Sequence, residues 1–166
     1  MQGPGKNISL SNPVTLSILD RLAIMDRKRE VIGVLTPEES MRRFKESVRK
    51  NLEWVLNTRR VPVPCESEQL QKSVYYFGLR DLTGVSLASP SSEVQLLKEI
   101  QTAVEQFEPR IDDLRIISIP DASSKQRLTF RIEGRLVVEY ITELVSFRTV
   151  LDMTHQHCEV QGKSNA

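Results

Sequence analysis

No run of this chain approaches the roughly 20 consecutive apolar residues that cross a bilayer as a helix, so direct membrane insertion is not expected. A charge of one sign is also lacking: 23 Lys and Arg stand against 22 Asp and Glu. Nucleic-acid binders draw most of their affinity from neutralised phosphates and show a basic excess, so nucleic acid is not an expected partner. Cysteine is scarce. Cys65 and Cys158 lie far apart in no CxxC-like pattern, which reads as two free thiols in a reducing compartment. The start, Met1-Gln2-Gly3-Pro4-Gly5, has neither the basic residues nor the apolar stretch of a signal peptide. The expected location is the cytoplasm.

The usual hardware of catalysis is missing too. GxGxxG, Walker and GxSxG patterns are absent, which removes the common routes to phosphate cradling and serine hydrolysis. His155-Gln156-His157-Cys158 offers three soft ligands in a row of four residues. A metal site wants a fourth ligand at suitable spacing, and none is found, so neither metal nor other cofactor is expected.

What is present suits one domain with a core of its own. Residues 1–13, rich in Gly, Asn, Ser and Pro, read as a flexible tail; 14–152 read as a single α+β domain; 153–166 read as a polar C-terminal tail. Leu16, Leu19 and Leu22 recur on one face of a short helix predicted over Val14 to Ala23. Thr36-Pro37-Glu38-Glu39 combines an N-cap threonine, a first-turn proline and a glutamate at the third helical position. Behind it, Met41, Phe44, Val48, Leu52, Val55 and Leu56 step by three and four, predicting an amphipathic helix to about Asn57. A third helix is predicted near Glu66 to Phe77, with Leu70, Val74 and Phe77 inward and Gly78 as its left-handed cap. A fourth is predicted from Ser89-Pro90 to the stop at Pro109, burying Leu97, Ile100, Val104 and Phe107.

The final third changes to a period of two. Leu114 to Ile119 predicts a short strand. Leu128, Phe130, Ile132, Gly134, Leu136, Val138 and Tyr140 share one parity, opposite Arg127, Thr129, Arg131, Glu133, Arg135 and Glu139. Gly134 is the place for a bend or bulge, and Val145 to Leu151 predicts the last strand. The expected fold is α+β: N-terminal helices packed on a small antiparallel meander sheet formed by the C-terminal third.

Two features could carry function. Glu108-Pro109-Arg110 stands where the fourth helix stops abruptly. It could hold a general acid for glycoside cleavage, which needs a second carboxylate nearby and a sugar cleft; Asp112 and Asp113 are close in sequence, but aromatics are only 5% of the chain. It could instead present a carboxylate and a planar guanidinium to a partner, or the two charges could simply pair with each other. The second feature is the last predicted strand, Val145, Ser146, Phe147, Arg148, Thr149, Val150 and Leu151, whose edge could accept another chain's strand or be an ordinary sheet edge.

Taken in order, Ser17-Ile18-Leu19-Asp20-Arg21-Leu22, Leu52-Glu53-Trp54-Val55-Leu56-Asn57-Thr58-Arg59-Arg60, Tyr76-Phe77-Gly78-Leu79, Phe107-Glu108-Pro109-Arg110, Leu128-Thr129-Phe130-Arg131-Ile132-Glu133 and Phe147 to Asp152 resemble the TssE-type baseplate family of type VI secretion systems. That family is related to the wedge proteins of contractile phages and is often labelled lysozyme-like. The resemblance implies a structural, non-catalytic part in a cytoplasmic baseplate docked at the inner membrane. It implies TssF- and TssG-type wedge subunits as partners of Glu108, Pro109 and Arg110, and sheath proteins as partners of the Val145 to Leu151 edge. It also implies that Glu108→Ala and Arg110→Ala block assembly while leaving the isolated fold intact. A peptidoglycan glycosidase using Glu108, or the equivalent subunit of a phage-tail-like particle, is the alternative. The segment from Met153 to Ala166 lies beyond the resemblance.

Overall fold

The computed structural model describes residues 36–62, 67–71, 73–87, 89–120, 126–138 and 141–162. The 1–13 tail, the helix predicted over Val14 to Ala23, and Cys65 lie outside the described residues. The chain divides into two compact units, Met1–Ser47 and Val48–Ala166.

Helix α1, Pro37–Asn57, runs from the first unit into the second. Its start is a reciprocal capping box. The backbone N–H of Glu39 donates to Thr36 Oγ1 at 3.2 Å, and the N–H of Thr36 donates to Glu39 Oε2 at 3.1 Å. Two otherwise orphaned donors are thereby satisfied. The predicted stripe is buried throughout: Met41 and Phe44 in the first unit, and Val48, Leu52, Val55 and Leu56 in the second.

In the second unit the predicted third helix is much shorter than expected. Among the described residues only Glu68–Gln71 is α-helical there (α2), followed by a 3-10 turn at Val74–Tyr76. Leu70 and Val74, expected inside, are exposed, and Val74 is 87% so. Helical spacing spread over so few residues cannot outweigh nucleation, and Ser73 caps a new turn by accepting from Tyr75 N–H. Gly78 does take the left-handed conformation, φ +103°, and any Cβ there would strike the carbonyl of Thr58. Its bare backbone lets Leu79 N–H donate to Thr58 O at 2.9 Å and Arg60 N–H donate to Leu79 O at 2.8 Å. A one-step parallel bridge, Arg59 to Leu79, results.

Helix α3, Pro90–Phe107, begins and ends as predicted. Its buried residues are Leu96, Ile100, Ala103 and Val104. The inward face is therefore turned slightly from the predicted one, with Leu97 and Phe107 only half-buried. Phe107 meets Phe77 edge-on at 5.1 Å, a favoured ring geometry. The helix lies against the first strand.

The sheet is an antiparallel meander of four strands in chain order: β1 Ile111–Ile119, β2 Arg127–Val138, β3 Ile141–Asp152 and β4 His157–Gly162. The predicted inward residues Leu128, Phe130, Ile132, Gly134 and Leu136 are buried, but Thr129 of the face expected to be wet is buried as well. Gly134 itself pairs regularly with Val145. The bulge lies across from it, between Asp112 and Arg115 on β1, where Asp113 has φ +50°. A Cβ at Gly134 would collide with the Ile111 side chain and come 2.9 Å from the Asp112 carbonyl oxygen. The glycine makes room for its neighbour's bulge rather than bulging itself.

The expected polar tail, 153–166, is overturned in its described part. β4 occupies His157–Gly162, with Cys158 and Val160 buried and their neighbours exposed. Two apolar residues at a spacing of two are too short a pattern to read as a strand. The strand is held by α1. Asn57 Nδ2 donates to Cys158 O and Asn57 Oδ1 accepts from Cys158 N–H, both at 2.8 Å. Arg49 Nη1 donates to Val160 O at 3.0 Å. The Asn57 amide thus replaces a neighbouring peptide group on the outer edge of β4. Burial pushes the Cys158 thiol up to about 12, so it is an inert core residue.

Two substitutions of opposite sign test this packing. Asn57→Ala strands a paired donor and acceptor on β4 and is expected to destabilise the protein by about 1–3 kcal/mol. The buried Thr149 hydroxyl has no hydrogen-bond partner among the described residues, so the near-isosteric Thr149→Val is expected to stabilise by about 1 kcal/mol. Urea denaturation of both beside the parent measures this, and equal midpoints for all three proteins would refute the account.

The Glu108 corner and the sheet edges

Proline at 109 ends α3 because its ring excludes the helical conformation from the residue before it. Glu108 accordingly leaves the helix with φ −128° and ψ 68°, while its N–H still closes on Val104 O at 2.8 Å. The corner then feeds straight into the sheet: Ile111 N–H donates to Glu108 O, and Val137 N–H to Arg110 O.

The Glu108 side chain turns inward and has no solvent exposure, whereas Arg110 keeps 24% of its side chain exposed. Arg110 grips the carboxylate in the two-pronged manner its planar fork allows: Nε donates to Oε1 at 2.6 Å and Nη2 to Oε2 at 2.5 Å. The backbone N–H of Arg110 adds a longer bond to Oε1 at 3.3 Å. On the other side, Asn51 Nδ2 of α1 donates to Glu108 Oε2 at 2.9 Å and to Phe107 O at 3.0 Å. Of the readings open at this corner, internal pairing of Glu108 with Arg110 is therefore the geometry found. Pro109 is exposed. Asp112 and Asp113 are exposed as well, with Asp113 paired to Arg135.

Asn51 escapes a sequence reading. It lies on a helix beside charged residues and resembles any other solvated polar position. Its one signal is its place between Val48 and Leu52, on the flank of the buried stripe.

The predicted edge strand needs correction. Val145 to Leu151 falls inside β3, which β2 pairs along its whole length. On its other side, Phe147–Asp152 pairs with β4. Among the described residues, only Val145 and Ser146 of the predicted edge have no strand on that side. The outer edge of β4 is in turn occupied at Cys158 and Val160 by Asn57 and Arg49.

The segment Leu56-Asn57-Thr58-Arg59-Arg60 acts as a junction. Besides Asn57, Arg59 donates from Nη1 to Leu56 O at 2.9 Å and from Nη2 to Gln156 O at 2.6 Å. It thereby joins the end of α1 to the β3–β4 turn, where Gln156 has φ +49°. Asp152 anchors the same turn. The backbone N–H of His155, foremost, holds its carboxyl below the usual carboxylate range. This contribution is present above the unfolded-state pKa and is lost as pH falls through the folded one. The His155-to-Cys158 group is split by β4: His157 is exposed and Cys158 faces the core.

A family model described as baseplate wedge protein gp25 matches residues 42–140, more than half of the chain. The chain belongs to the gp25 family of baseplate wedge proteins. TssE-type subunits are the type VI secretion homologues within it, in keeping with the ordered motifs read from the sequence. The gp25 match takes in the Glu108 corner, Asn51 and the junction at Asn57 and Arg59, whereas β3 and β4 lie past its end. Comparison with curated proteins gives no match.

Because Glu108 is buried, its removal is expected to reach the fold, contrary to the expectation that Glu108→Ala leaves it intact. Breaking a buried ion pair typically costs about 3–5 kcal/mol; partial exposure of Arg110 lowers this to about 2–4 kcal/mol. Asn51→Ala, which removes a neutral donor, is expected to cost about 1–2 kcal/mol. Thermal unfolding of both variants measures the order, and a Glu108→Ala protein that melts with the parent would sink the assignment.

Proposed function

We propose that this gp25-family chain is the TssE-type wedge subunit of a type VI secretion baseplate, a structural and non-catalytic part that works in the cytoplasm where the baseplate docks at the inner membrane. TssF- and TssG-type wedge subunits and sheath proteins are its partners in this reading, and no cofactor is needed. The observation that carries it is the state of Glu108. A general acid must reach the leaving-group oxygen of its substrate. Here the carboxylate is withdrawn from solvent, and both of its oxygens accept from Arg110 and Asn51. That arrangement suits a corner built to hold a shape.

The roles of the three residues then separate. Glu108 sets the geometry, while the exposed Pro109 and the partly exposed Arg110 form the face that a wedge partner meets. Arginine suits such a face because its orientation is already fixed by the internal pair, which lowers the entropy lost on docking. An incoming sheath arm would join the sheet along the part of β3 that contains Val145 and Ser146, since β4 closes the rest.

The test is co-purification with TssF- and TssG-type subunits and sheath protein. Pro109→Asp alters the exposed corner and releases the steric stop that holds Glu108 out of the helix, and Arg110→Lys keeps a charge beside Glu108 while losing the fork. Both are expected to melt below the parent and, compared at a temperature where all three proteins remain folded, to lose wedge partners. Recovery of partners at parental levels by both variants would overturn the docking role. Digestion of peptidoglycan by the parent, lost in Glu108→Gln, would establish the glycosidase instead. A phage-tail-like particle would be recognised by its neighbouring genes.

A further inference from the structure

A concave site separate from the corner face lies between α3 and the Arg59–Leu79 bridge, with a volume of about 280 Å³. Three cations and one carboxylate line it: Arg60, Arg80, Lys98 and Glu99. Arg80 Nε donates to Glu99 Oε2 at 2.5 Å, which neutralises that pair. Arg60 and Lys98 are exposed and have no ion-pair partner among the described residues. The groove therefore carries two surplus positive charges in a protein whose net charge is only +1. Its apolar lining is Leu79, Ala103 and Phe107, of which Phe107 is the half-buried one and the other two are buried.

We infer that this groove is a docking site for an acidic segment of a protein partner. Unpaired cations facing a concavity are complementary to carboxylates, and a concave, partly apolar setting raises their field over that of cations on a flat surface. A peptide supplies what the groove matches: carboxylates for Arg60 and Lys98, and an aliphatic stem for the half-buried Phe107. Nucleic acid fits less well. Glu99 stands in the path of a continuous row of phosphates, the cations are few, and Phe107 is already engaged edge-on with Phe77. An incoming carboxylate also competes with Glu99 for Arg80, so Glu99 acts as an internal competitor for the site. None of this depends on the wedge reading, because neither Pro109 nor Arg110 lines the groove.

The experiment is an NMR titration of the full isotope-labelled chain with a short synthetic peptide of alternating Glu and Ser, in which each carboxylate sits on an aliphatic stem. A Lys and Ser peptide and a short DNA duplex serve as comparisons. The acidic peptide is expected to shift the amides around Arg60, Arg80 and Lys98. The Arg60→Glu/Lys98→Glu variant, altered only at exposed positions, is expected to bind about tenfold more weakly while melting with the parent. Glu99→Gln, which frees Arg80, is expected to bind more tightly than the parent. Shifts scattered over the surface, equal affinity of the double variant, or DNA moving the same amides at lower concentration would each overturn the proposal.

Discussion

A carboxylate without solvent has to find its counter-charge and its hydrogen-bond donors inside the protein, and Glu108 organises three parts of the fold in doing so. Its oxygens gather the guanidinium that follows it in the chain and the amide of Asn51 from α1. The end of α3, the entry into β1 and the middle of α1 are thereby joined at one point. An uncompensated buried charge is costly enough that these elements are constrained together. Proline supplies the other half of the constraint by forcing the chain out of the helix at that residue.

A second set of polar contacts does similar work along α1. Arg49, Asn51 and Asn57 of α1, together with Arg59 just past its end, reach to backbone or side-chain groups elsewhere. Arg49 and Asn57 close the outer edge of β4, and Arg59 closes its turn. An unguarded edge invites unwanted pairing. Here the guard comes from a helix rather than from charges on the strand itself. On the proposed wedge role, an arriving strand would find the β4 edge occupied at Cys158 and Val160.

The long elements were legible because many residues vote for each. Six apolar positions and a capping box define α1, and five same-parity positions define β2. The short ones were not. Leu70, Val74 and Phe77 fit a helical face, yet the chain makes only a helical turn and a 3-10 turn there. Cys158 and Val160 look like part of a polar tail until the edge of β3 gives them a partner. The corner itself was visible as Glu-Pro-Arg, but its internal pairing was one reading among several, and Asn51 gave no sign of belonging to it.

Legible along the chain alone were the α+β class, the ends of α1 and α3, the inward parity of β2 and the family to which the chain belongs. The first three rest on periodicity, capping and proline sterics, which act over a few neighbouring residues, and the family rests on motifs in a set order along the chain. Tertiary structure alone decided that Glu108 is buried, that β3 is an inner strand, and that a basic groove lies between α3 and the Leu79 bridge. Burial and pairing depend on groups dozens of positions apart, such as Asn51 with Glu108 and Asn57 with Cys158. No local pattern encodes whether a charge will meet water or another chain segment.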